Sequence, residues 1–394
     1  MSPLTRLFSV GTTNGGRANA SVVSGGPVTI GESPSRLFAL APIALLLAVV
    51  FGASPANAMS IPAADPERLG SVPVGEISEV VLPERPGRAR AAAWSPPPGA
   101  SGGVYQAGGM SIRVFASPEF VPDPQLDQTW ANFFAGLPQA GDASSMFVYF
   151  VTPPEMTAIC SERAAACYDP NNDLMILTGD NVAVDGTTPI EEVAAHEFAH
   201  HIANRRSNDP WLAVNWGPKR WASLSGVCPG VLNDELFPGD QGDNYPLNPG
   251  EGWAETYRVA AGGSPSSWEI VDRVFYPSAD EIEAALQDAR DPWLENEVRS
   301  WSGRFSRGRS RLQRIRVDTP LDGSFNLSLR SSRGLDVDLY VLDENDKQLI
   351  SRGIRGGRSE RVNTYVCGDN DYYVYMRRAS KRTGTFRLSL TWPG

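Results

Sequence analysis

Two rhythms of apolar spacing divide this chain. In the first, apolar residues recur at helical intervals: Leu126, Trp130, Phe133, Phe134 and Leu137 predict a helix over 124–137. Runs rich in β-branched and aromatic residues predict strands at 111–115, 145–151 (SMFVYFV) and 173–178 (DLMILT). A second helix opens at Thr188-Pro189-Ile190-Glu191, which reads as a capping box with proline at the first helical position. Ala195, Phe198, Ala199 and Ile202 give it an apolar face, Arg205 and Arg206 suit its C-terminal dipole, and Asp209-Pro210 stops it. Asn248-Pro249-Gly250-Glu251 repeats the start signal, and that helix runs to Ala261 before Gly262-Gly263. Further helix is expected at 278–288 and around 292–300.

Past an arginine-rich hinge at 304–316 (RFSRGRSRLQRIR), the period changes to two. Segments 323–330, 335–342, 361–366, 371–378 and 384–392 alternate apolar and polar residues between turn residues, the pattern of a β-sandwich. The expected architecture is an α+β domain over 104–303 followed by an all-β sandwich over 317–394. Two domains also suit a length of 394 residues.

The N-terminus changes the picture again. Residues 37–52 are apolar, Arg36 precedes them, and Ala56-Asn57-Ala58 supplies the small residues of a cleavage site. Residues 1–58 therefore read as a secretory signal peptide; the run is short for a membrane span, and an uncleaved anchor is the alternative. The Pro- and Ala-rich stretch 59–103 reads as a linker or pro-segment, with order beginning near Val104.

Four cysteines suit an oxidising compartment. Cys160 and Cys167 are near neighbours and are expected to pair, which leaves Cys228 for Cys367, one of three connectivities that the sequence allows. Charge is uneven. Residues 304–394 carry 18 Lys and Arg against 10 Asp and Glu, whereas 59–303 carry 14 against 34. The acidic half argues against a nucleic-acid partner, and the basic half suits either a solvated face or an anionic extracellular polymer.

His196-Glu197-Phe198-Ala199-His200 uses two of the only three histidines in the chain. Residues four apart share a helix face, so both imidazoles reach one Zn²⁺, and Glu197 is placed to deprotonate a water there. A catalytic zinc site takes three protein ligands. His201 points about 100° away from the face of His200, so the third ligand is expected to be a carboxylate. Glu251 and Glu255 sit four apart on one helix face and both qualify.

The stretch NPGEGWAETYR (248–258), taken with the HExxH motif, resembles the E-x-F-A-E segment of gluzincin zinc metallopeptidases. The resemblance covers roughly 155–262. It implies a zincin-like fold in which Glu251 binds zinc, Glu255 supports a zinc histidine, the strand at 173–178 edges the cleft, and a tyrosine, here Tyr245, stabilises the oxyanion. Residues 311–394 separately resemble the bacterial pre-peptidase C-terminal domain in their strand layout. Together these imply a secreted zinc peptidase acting on protein or peptide substrates, with Glu197 as general base. The competing reading is an extracellular adhesion protein whose zinc is structural, with Asp240 or Asp243 as fourth ligand; a cell-wall-acting hydrolase is the weaker third.

Overall fold

The computed structural model describes residues 79–81, 94–161, 164–178, 188–264, 271–343 and 349–394. The expected signal peptide and most of the expected linker lie outside the described residues. Within the linker, Glu79–Val81 forms a strand, β1. It joins β2 (Ser101–Ala107), β3 (Met110–Ala116), β4 (Phe147–Val151), β5 (Ala166–Asp169) and β6 (Leu174–Thr178) in a sheet of order β1-β5-β6-β4-β3-β2. Regular structure thus begins before Val104. Trp94 already packs on Phe115, Phe147 and Tyr149, with ring centroids 5.2–6.0 Å apart.

Local chemistry explains the elements. Gly108 and Gly109 both take positive φ, so the two-residue turn between β2 and β3 follows the twist of the strands. Helix α1 (Pro124–Gly136) starts at Asp123, whose carboxylate accepts the Gln125 N–H, and it lays Trp130, Ala131 and Phe134 on the sheet. A short helix α2 (Pro153–Ile159) carries a complete capping box from Thr152 and Glu155. Strand β6 differs from expectation. It is interior, parallel to β4 and antiparallel to β5, and all five residues are buried. An unbroken apolar run is the signature of a strand covered on both faces, not of a cleft edge. The edges belong to β1, which runs parallel to β5, and to β2.

Helix α3 (Ile190–Asn204) begins one residue later than expected, with Pro189 at the cap position. It is buried on nearly every side, against β5 and β6 and a later helix, because its alanines leave room for close neighbours. A short hairpin, β7 (Ser207–Asn208) and β8 (Trp211–Leu212), leads to α4 (Ala213–Trp216), α5 (Lys219–Leu224) and α6 (Val227–Leu232). Helices α7 (Pro249–Ala260) and α8 (Ala279–Arg290) complete this half. Among the described residues, no helix is long and apolar enough to cross a membrane.

The sandwich starts earlier than expected. Residues 297–305 form a strand, β9 (Glu297–Phe305), where helix was expected around 292–300. The stretch 304–316 is no hinge: the end of β9, a turn, and β10 (Leu312–Thr319) take it up. Its exposed arginines alternate with residues facing inward, which is strand chemistry under a charged surface. With β11 (Gly323–Ser331), β12 (Val337–Leu342), β13 (Leu349–Gly353), β14 (Ser359–Val366), β15 (Asn370–Arg378) and β16 (Gly384–Trp392), two sheets form, β10-β15-β12-β13 and β14-β11-β16-β9. Phe325, Leu327, Leu329, Val374, Leu388 and Leu390 fill the space between them.

The helical half and the sandwich belong to one compact unit, Ala58–Gly394. Both expected disulfides are present, Cys160–Cys167 and the long-range Cys228–Cys367. Beside the second, the buried Lys219 donates to the carbonyls of Asp209 (2.7 Å) and Asp322 (2.9 Å) and lies 4.5 Å over the Trp293 ring. Burial lowers Lys219 to about 8. It raises Asp322 to about 6, although the Gly368 N–H donates to that carboxyl at 2.6 Å.

Candidate metal centre

Helices α3 and α7 pack together, and glycines let α7 approach its other neighbours closely. A Cβ on Gly252 would fall 2.5 Å from the Phe275 ring, and one on Gly250 would fall 2.4 Å from the Val214 carbonyl. Trp253 Nε1 donates to the Ala199 carbonyl at 3.1 Å, which fixes the register of one helix against the other. That register brings Glu251 opposite the histidine face of α3.

Glu251 Oε2 lies 3.1 Å from both His196 Nε2 and His200 Nε2, and those two nitrogens are 3.2 Å apart. Ligands held about 2.0–2.1 Å from a tetrahedral zinc are roughly 3.3 Å apart, so the triangle has the size of a metal ligand set. All three side chains are almost completely buried. Burial lowers the pKa of His200, with Glu251 opposing. Burial would raise Glu251, but the two histidines override it and hold the carboxyl far below the usual range. Two imidazoles and one carboxylate are thus a donor set that could hold a metal ion.

The surroundings aim the donors. The other oxygen of Glu251, Oε1, accepts from Gln241 Nε2 (3.2 Å) and lies 3.4 Å from Asn248 Nδ2. Asn248 also caps α7 through the Gly250 N–H at 3.0 Å. Glu251 therefore faces the histidines and these amides, instead of closing a capping box. Tyr245 is buried and its hydroxyl donates to Glu251 Oε2 at 3.1 Å. Glu255 stands behind His196, its Oε2 3.7 Å from Nδ1, and Arg258 Nε grips the same carboxylate at 2.8 Å. Burial pushes Glu255 up, and Arg258 together with His196 brings it below the ordinary value. Glu197 follows His196 on α3 and is equally buried.

Other candidates lie elsewhere. His201 is 3.0 Å from the Tyr168 hydroxyl and 3.0 Å from Ser145 Oγ, fastening α3 to β5 and the neighbouring turn. Burial lowers it to about 4. Asp240 accepts from the Gly242 N–H and from Asn244, within its own loop. Among the described residues, neither it nor Asp243 joins the His196, His200 and Glu251 group. Gln241 escaped sequence reasoning, since nothing marks a loop glutamine as a partner of Glu251, whereas Asn248 was visible only as a cap.

No protein-family model and no curated protein matches the chain. Among solved structures, the pre-peptidase C-terminal domain of a collagenase from Bacillus anthracis is similar at 18% identity and a TM-score of 0.20, covering 24% of this chain and 89% of that one. A mitogen derived from Yersinia pseudotuberculosis is similar at 12% identity and a TM-score of 0.17, covering 25% and 86%.

Proposed function

We propose that this protein is a secreted zinc peptidase of the gluzincin type, with a zincin-like helical half and an accessory sandwich like a pre-peptidase C-terminal domain. The observation that carries the reading is the meeting of His196, His200 and Glu251, with mutual distances of 3.1–3.2 Å, directly beside Glu197 in the sequence. Three protein donors suit a catalytic site, whereas a structural site usually closes with a fourth. His196, His200 and Glu251 would hold a zinc ion, which would supply Lewis acidity to the scissile carbonyl and to the attacking water. Glu197 takes the proton from that water at its carboxylate and delivers it to the leaving amine. Tyr245 donates from its hydroxyl to the developing oxyanion. Glu255, itself held by Arg258, fixes the ring of His196 from its Nδ1 side.

Glu197→Gln tests this. It should keep one zinc per chain and lose hydrolysis of an unfolded protein substrate by several orders of magnitude. Near-normal turnover by the variant would sink the mechanism. A zinc-loaded wild type that cleaves nothing in a broad peptide library would favour the adhesion reading.

A further inference from the structure

The outer face of the sheet β14-β11-β16-β9 carries arginines and no carboxylate. Its exposed positions are otherwise serine, threonine and asparagine, with Tyr365 and Val298 at the margins. Arg330 on β11 stands directly opposite Arg387 on β16. Arg387 in turn faces Ser302 on β9, and Arg304 faces Thr385. Together with Ser332 these residues line a shallow depression of about 620 Å³.

Like charges directly opposite one another destabilise a sheet. Charges that guard sheet edges belong on edge strands, here β9 and β14, yet Arg330 and Arg387 occupy the two central ones. Three other arginines of the sandwich have acids: Arg299 has Glu297, Arg316 has Asp371, and Arg377 has Asp338. Among the described residues Arg304, Arg330 and Arg387 have none. A cost with no compensation inside the fold is what an anion site looks like when the anion comes from outside.

Guanidinium forks match planar carboxylates, and the surrounding hydroxyl and amide side chains match sugar hydroxyls. Position agrees. Strand β11 begins at Gly323, next to Lys219 at the joint with the helical half, and Arg330 lies roughly 23 Å further along the strand. We propose that this depression binds carboxylate groups of an acidic polysaccharide, holding the chain by the end of its sandwich remote from the joint.

The test uses the purified full-length protein and polygalacturonate, with neutral galactan, duplex DNA and anionic vesicles as comparison ligands. Wild type binds polygalacturonate, more weakly as salt rises from about 50 to about 300 mM. R330T/R387T binds at least ~10-fold more weakly, while R316T/R352T, which removes the same charge from the other sheet, stays within about twofold. Should the double variant fail to fold, R387T is scored by the same criterion; relief of the like-charge pair leaves its melting temperature at or above that of wild type. Equal loss in both double variants, no loss in R330T/R387T, or equal binding to galactan overturns the proposal. DNA or vesicles bound as tightly through the same arginines overturn the choice of polysaccharide.

Discussion

Replacing Glu251 by alanine removes one corner of the donor triangle, whereas replacing Glu255 removes the group behind it. Closed four-ligand zinc sites bind with about 10–16 kcal/mol, so one ligand is worth roughly 3–4 kcal/mol, or ~100–1,000-fold in Kd. A supporting residue is worth ~10–100-fold. Folding should show the opposite order. Glu251 is held by Gln241, Tyr245 and two histidines, none of them a fixed charge. Glu255 neutralises Arg258, which is fully buried and would keep Glu192 and the Ser264 carbonyl among its described partners. Breaking a buried pair costs about 3–5 kcal/mol, and the remaining partners reduce that to ~2 kcal/mol. Competition with a chromophoric chelator reads the first quantity, and urea unfolding of the metal-free proteins reads the second. E251A should lose more zinc affinity and less stability than E255A. If E255A proves the weaker zinc binder, the ligand assignment is wrong.

The buried pair at the joint sets a pH dependence. Asp322 titrates near 6 in the fold against an ordinary 3.8, so its contribution is present below about 4 and fades as pH rises through 6. D322N should remove that decline from stability curves measured between these values; an unchanged slope would refute it. Lys219, depressed to about 8, acts with the other sign: stability should rise between about pH 8 and 10 as the fold sheds the buried charge. G252A drives a methyl into the Phe275 ring and should cost about 1–3 kcal/mol in urea unfolding, with weaker zinc binding; wild-type stability would mean that the Phe275 ring gives way. C228S/C367S opens a loop of 139 residues and should cost up to about 5 kcal/mol by loop entropy, measured against the oxidised parent.

That two histidines and a distant carboxylate would meet was legible because the helix starts and the HExxH spacing are local signals. The sandwich was legible through alternation in β11, β12, β15 and β16. The edge strand β14 was legible too, whereas the edge strands β9, β10 and β13 were not. Strand β9 (EVRSWSGRF) is polar on most positions and carries little alternation to read. Strand order is likewise non-local: β6 reads as a strand from its own residues, but only its neighbours decide whether it borders a cleft. Lys219 is charged in a sequence and buried only because β11 and Trp293 close over it.

The long-range disulfide carries a consequence for biosynthesis. Cys228 leaves the ribosome 139 residues before its partner. The helices bearing His196, His200 and Glu251 can thus pack while Cys228 is still a thiol. A chain cut short before Cys367 keeps that thiol, open to oxidation or mixed-disulfide formation. Closing the bridge requires synthesis through Cys367, so the oxidation state of Cys228 reports whether that residue has been made.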